Sequence, residues 1–227
     1  MRRLTVHVVI AGVMASASLD AQSHALSVEQ RAALEGGGRV LSQEQRPGSP
    51  WPAVTVRLLI DAMPEEAAAV FTDYEMHRKY IPSVKHSRIS RVIDAATVEV
   101  DYVVAVPIVS DEEYTVRNRI SMDSSGRYQV DWTLVRASST KATVGHVRFA
   151  PYTSARTGKQ VTLMEYYDFV TPGSRIASLG FIRNRAIREM EETARAVARQ
   201  TETERHKSGA MRSRVAALRA AVGSLPR

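Results

Sequence analysis

Between residues 85 and 170 the chain offers six strand-like segments in succession, with no connection long enough for a crossover. They cover 85–93, 97–107, 113–122, 127–136, 142–151 and 160–170, and are rich in Val, Ile, Thr and aromatic residues. Their separators are turn formers: Asp94-Ala95, Ser110-Asp111, Asp123-Ser124-Ser125-Gly126, Ser138-Ser139-Thr140, and the stretch from Ser154 to Gly158. Parallel neighbours need a linker of about a dozen residues or more. The sequence therefore predicts an antiparallel meander.

A long helix follows. After Thr171-Pro172-Gly173, apolar residues recur at Ile176, Leu179, Ile187, Met190, Ala194 and Val197, in steps of three, four or a multiple, across 176–200. Arg188, Glu191, Glu192 and Arg195 occupy the opposite face and can pair along it. Such a helix must bury its apolar stripe, and the sheet is the only large surface on offer.

Upstream of the meander, Ser27 to Gln30 fits a capping box that opens a short helix, and Gly36-Gly37-Gly38 stops it. Residues 40–44 predict a short strand, Arg46-Pro47-Gly48-Ser49-Pro50 a turn, and 53–61 a longer strand. Pro64 suits a first helical position, with Glu65 and Glu66 complementing the helix dipole, and the chain breaks at Pro82.

The first residues read as an export signal. Arg2 and Arg3 precede a short apolar core from Val6 to Met14, then small residues with candidate cleavage sites at Ala15-Ser16-Ala17 and Leu19-Asp20-Ala21. Cleavage there predicts a periplasmic or secreted protein. Among the 227 residues, with a net charge of +7, there is no cysteine, which excludes disulfides, thiolate metal sites and a cysteine nucleophile. The positive excess concentrates at the C-terminus, where Arg205, Lys207, Arg212, Arg214, Arg219 and Arg227 face only Glu202 and Glu204. A basic tail favours anionic surfaces. Export argues against nucleic acid and leaves peripheral contact with an anionic membrane, or a solvated tail. Met211, Val215, Leu218, Val222 and Leu225 form an apolar seam in that tail, suited to a membrane surface or a docking partner.

No catalytic motif stands out. The histidines show no metal-ligand spacing, and neither a nucleophile elbow nor a phosphate-binding loop is present, so neither a metal nor another cofactor is expected. His77-Arg78-Lys79-Tyr80 reads as a solvated polar patch.

The order strand, helix, meander and long helix is carried by recognisable junctions. Asp61 to Tyr74 looks like the opening strand-to-helix turn of the START-like superfamily, and Tyr80 to Lys85 like its next break. Val106 to Asp111 with Tyr114-Thr115-Val116 resembles the hairpin of the StAR-related branch. Thr162 to Tyr166, then Thr171 to Ile176, resembles the last strand and the approach to the final helix. Glu112 and Glu113 depart from that branch, which often has a basic residue after the hairpin aspartate. The resemblance spans residues 51–200 and implies an α+β helix-grip fold, a curved antiparallel sheet wrapped around a long C-terminal helix. Residues 1–21 would then be the leader, 22–50 an N-terminal helix and strand, and 201–227 the basic tail.

That resemblance implies a cavity for a lipid or other hydrophobic small molecule, held without covalent attachment. Strand alternation supplies candidate walls. Glu99 and Asp101 outward place Val98, Val100, Tyr102 and Val104 inward; Arg117 and Arg119 outward place Tyr114, Val116, Asn118 and Ile120 inward. Likewise Tyr128, Val130, Trp132 and Leu134 face in, as do Gly145, Val147 and Phe149. In 160–170, Val161, Leu163, Tyr167 and Phe169 share a parity with Glu165, so either Glu165 is an inward acid or a bulge shifts the parity. Each inward aromatic either lines the cavity or packs the core. The ligand-binding set is therefore Val100, Tyr102, Val104, Tyr114, Val116, Asn118, Trp132, Leu134, Phe149, Glu165 and Tyr167, with Leu179, Arg183 and Ile187 from the final helix. A non-catalytic binding protein is expected. The alternative is an enzyme of the cyclase, dehydratase or hydrolase kind, for which Glu165, Tyr166 and Asn118 are the acid–base candidates.

Overall fold

The computed structural model describes residues 26–106, 110–173 and 179–223; the expected leader, the centre of the Val106–Asp111 junction and the last three residues of the Thr171–Ile176 junction lie outside that range. Eight antiparallel strands form one sheet in the spatial order β1-β2-β8-β7-β6-β5-β4-β3. They are β1 Arg39–Glu44, β2 Ala53–Ile60, β3 Val84–Asp94, β4 Thr97–Val104, β5 Glu112–Met122, β6 Tyr128–Ala137, β7 Ala142–Thr153 and β8 Gln160–Thr171. The five links from β3 to β8 join neighbours, as their short turns require. At the β5–β6 turn, Asp123 Oδ1 accepts the amides of Ser125 and Arg127, and Gly126 takes the φ of +78° that closes it.

The link from β2 to β3 crosses to the far edge of the sheet. It carries α2 (Pro64–Phe71), a 3-10 turn (Tyr74–Met76) and the single-turn α3 (His77–Tyr80). Ala67, Ala68, Ala69, Val70 and Phe71 of α2 are buried, so one short alanine-rich helix floors the sheet with little side-chain bulk. The long helix α4 (Gly180–Glu204) lays Ala194, Val197 and Ala198 into the same core. The helix-grip α+β fold is thus present.

At the N-terminus, α1 (Val28–Glu35) begins with the reciprocal Ser27–Gln30 capping box. Glu35 then fastens it to the β7–β8 hairpin by accepting hydrogen bonds from Tyr152 Oη, Ser154 Oγ and the amide of Ala155. At the other end, α5 (Ser208–Gly223) folds back onto α2. Met211 and Leu218 are buried, and Val215 and Val222 pack on the core. The seam expected to meet a membrane or a partner is therefore spent inside the domain, and Leu225 lies outside the described residues. Three of the tail's arginines are also engaged. Arg214 bridges Asp73 (2.8 Å) and Glu204 (2.9 Å), Arg219 binds Glu65 (2.6 Å), and Arg205 binds Asp61 (3.0 Å).

Candidate functional site: a cavity between the sheet and the long helix

Between the inner face of the sheet and α4 lies a cavity of about 240 Å³. Its walls come from β4 (Tyr102, Val104), β5 (Tyr114, Val116, Asn118), β6 (Trp132, Leu134), β7 (Thr143), β8 (Tyr166, Asp168, Val170) and α4 (Ala186, Glu189, Met190, Thr193). Phe71, His77, Ile81, Ser83, Val84 and Thr140 complete it. Two-residue alternation put seven of these positions on one face, because charged residues hold the other parity of β4, β5 and β6 on the outer face of the sheet.

The remaining expected wall positions lie elsewhere. Val100 and Phe149 point inward but are fully buried in packed core, Phe149 against the Phe71 ring at 6.0 Å. Leu179 is the N-cap of α4, and Arg183 and Ile187 face Gln43, Gln45 and Pro52 beside β1. The face of α4 toward the cavity is instead the row Ala186, Glu189, Met190 and Thr193, which shares only Met190 with the apolar stripe. The stripe is shared between β1–β2 and the cavity, so the walls fall on its margin.

Glu165 and Tyr167 need a larger correction, because β8 has the opposite parity. Thr162, Met164, Tyr166, Asp168 and Val170 look inward, and Glu165 sits on the outer face. There the cross-strand register sets Arg57, Glu165, Arg148 and Gln129 in one row. Glu165 accepts from Arg57 at 2.7 Å and Arg148 at 3.0 Å, with His146 at 3.4 Å. Burial opposes its ionisation, but His146, Arg57 and Arg148 outweigh that and hold the carboxyl down to about 2. Tyr167 stacks on His146 on the same face, ring centres 5.0 Å apart. Of the three acid–base candidates, Tyr166 and Asn118 line the cavity and Glu165 does not.

Glu165→Gln is accordingly expected to leave cavity binding unchanged while lowering stability by about 1–3 kcal/mol, since two half-buried guanidinium groups lose their counter-charge. The folded carboxyl is depressed, so this contribution is complete above the ordinary glutamate range and disappears as the pH falls toward about 2. Urea unfolding of both proteins at several pH values checks it.

Two polar centres in the cavity were not expected. The first is His77, which is 3 % exposed rather than solvated. Its Nε2 lies 2.8 Å from the Phe71 carbonyl oxygen, which only accepts, so Nε2 carries the proton. Nδ1 then accepts from the Tyr102 hydroxyl at 2.9 Å, a tautomer assigned from this network. Burial drives the imidazole down to about 4, against the pull of that carbonyl, so the ring is neutral. The sequence did hold a signal: Phe71, Tyr74 and His77 recur every three residues and present one aromatic face.

The second is Asp168, buried at 9 % exposure. Trp132 Nε1 donates to its Oδ1 at 3.3 Å and Thr143 Oγ1 to the same oxygen at 2.8 Å. Burial outweighs both donors and the Phe169 amide, and pushes the carboxyl up to about 6. Register explains how the indole reaches it. Asp168 pairs with Gly145, and Gly145 with Trp132, so the missing side chain lets the ring lie across β7.

No family model matches the chain, and no curated protein does. Solved structures do share its fold. A STAR-related lipid transfer protein from Xanthomonas axonopodis superposes with a TM-score of 0.62 at 15% identity, covering 72% of this chain and 93% of that one. Human StAR-related lipid transfer protein 5 gives 0.62 at 11% identity, with coverages of 75% and 85%. The Zhui aromatase/cyclase from Streptomyces sp. R1128 gives 0.54 at 14% identity, with 69% and 97%. The chain has the START-like fold.

Proposed function

We propose that this protein binds, and carries, a lipid or other hydrophobic small molecule non-covalently in the cavity between the sheet and α4, outside the cytoplasm. The observation that carries the reading is the wall itself. Tyr102, Tyr114, Val116, Trp132, Leu134, Tyr166 and Met190 surround a space with few polar points, the composition of small-molecule sites. Its volume narrows the ligand. About 240 Å³ falls below the roughly 300–1,000 Å³ typical of such pockets, which favours a single chain or a compact ring system over a two-chain phospholipid. Two further points support the reading: neighbours of the same fold are described as lipid transfer proteins, and residues 1–21 have the pattern of an export leader.

The test is organic extraction of the purified exported protein followed by mass spectrometry, beside uptake of a fluorescent fatty alcohol. A stoichiometric hydrophobic molecule, and uptake abolished in Leu134→Trp, are the expected results. A protein that carries nothing and takes up no probe overturns the reading.

A further inference from the structure

The cavity wall is electrically one-sided. Among the described residues lining it there is no lysine or arginine, while two carboxylates are present, Glu189 and Asp168. Glu189 is matched on its own helix by Arg185 at 2.6 Å. Asp168 has only neutral donors: the Phe169 amide, and Trp132 and Thr143, which both spend themselves on Oδ1. Oδ2 receives neither. The negative charge also reaches its surroundings, since after burial it is the next cause holding the Tyr114 and Tyr166 hydroxyls above their ordinary range.

We propose that Asp168 seats the protonated amine of a lipophilic ligand, with Oδ2 accepting the ammonium proton and the aromatic rings of Tyr114, Trp132 and Tyr166 around it. This rests on the binding reading above and names its ligand class. A hydroxyl would add one more neutral hydrogen bond but leave a carboxylate buried without counter-charge. An ammonium supplies both the bond and the charge, and only it neutralises the site. The aromatic walls favour the same choice, because ring faces attract cations; Trp132 and Tyr166 lie with ring centres 5.3 Å apart beside the acid. A carboxylate or phosphate head would meet like charge with no cation to offset it. The acid is also held rigidly. The indole is locked over Gly145 and the Thr143 hydroxyl sits on β7, so the carboxylate is oriented before a ligand arrives.

Three single-chain probes with the same tail separate the possibilities: decylamine, decanol and decanoate, titrated into the full chain by calorimetry with Trp132 fluorescence as a second readout. At about pH 7.5 the amine is expected to bind at least tenfold more tightly than the alcohol, and decanoate most weakly. In Asp168→Asn, which keeps an acceptor for Trp132 and Thr143, the amine's advantage is expected to vanish while decanol binding changes less than about twofold.

The pH profile adds a readout that a structural role would not give. Below about pH 6 the amine must displace a proton from Asp168, so its affinity is expected to fall by about tenfold per unit while decanol stays level. The other groups facing the site are Tyr166 on β8, Tyr114 on β5, Tyr102 on β4, His77 on α3 and Glu189 on α4. His77 is already neutral there, the tyrosines are pushed up by burial, and Glu189 is common to wild type and variant. An amine preference that survives in Asp168→Asn, or decanoate or decanol binding as tightly as the amine, overturns the proposal and leaves the binding reading standing. If no probe binds the wild-type protein, the binding reading itself falls and takes this one with it.

Discussion

Gly145→Ala should destabilise the protein by about 3 kcal/mol or more and abolish cavity binding. A Cβ built at this position falls 2.5 Å from Trp132 Cε2 and 2.5 Å from the Tyr167 carbonyl oxygen. Neither obstacle yields easily. The carbonyl belongs to the backbone of β8, and the indole cannot rotate away without leaving its hydrogen bond to a buried carboxylate. Relief requires β7 and β8 to separate in the middle of the sheet, or the ring to turn into the cavity. Both change the environment of Trp132. Urea unfolding followed by tryptophan fluorescence and near-ultraviolet circular dichroism measures the loss, and a variant within about 0.5 kcal/mol of wild type would show that the indole has room to move.

Asp168→Asn should act in the opposite direction. A carboxyl whose folded value is about 6 rather than 3.8 binds its proton more tightly when folded, so folding is penalised wherever the group is ionised. The penalty is absent below the unfolded value, grows as the pH rises from there to about 6, and is constant above it. At neutral pH it amounts to about 3 kcal/mol. The amide is nearly isosteric and carries no charge, so the variant should be the more stable protein at pH 7 by up to that amount. The advantage should shrink to nothing near pH 4. Melting curves of the two proteins across this range are decisive, and a variant less stable than wild type at pH 7 would contradict the burial argument. Stability retained at the expense of ligand discrimination is the usual exchange at a binding site.

The inner faces of β4, β5 and β6 could be read from the sequence because Glu99, Asp101, Arg117, Arg119 and Asp131 left no choice about which parity belongs to the outer face. β8 could not be read this way. It is a central strand with polar groups on both faces: Glu165 in the outer row with Arg57 and Arg148, and Asp168 against the cavity. Val161, Leu163, Tyr167 and Phe169 share the parity of Glu165 and drew attention to it, while nothing in the sequence singled out Asp168 on the other parity. What distinguishes them is Gly145, whose meaning appears only when register places it between Asp168 and Trp132. His77 was hidden differently, inside a run of basic residues where burial depends on how a single-turn helix is aimed. The apolar seam of α5 was visible, but its direction was not. Whether such a stripe meets a membrane or α2 is a tertiary question, answered here by Arg214 and Arg219 reaching acids on the domain.

The strand order has a consequence for how the molecule comes into being. β2 pairs with β8, joining Val54 to Asp168, while β3 to β8 are linked to their neighbours by short turns. Loop closure over so long a stretch is slow compared with hairpin formation. A chain leaving the ribosome can assemble the hairpins early, β1 with β2 among them, yet the other edge of β2 waits until β8 has been made. The wall bearing Asp168 and the helix that covers the cavity both come later still than the strands they complete. The ligand binding proposed above needs the walls from β8 and α4 in place, so it belongs to the folded chain and never to a nascent one.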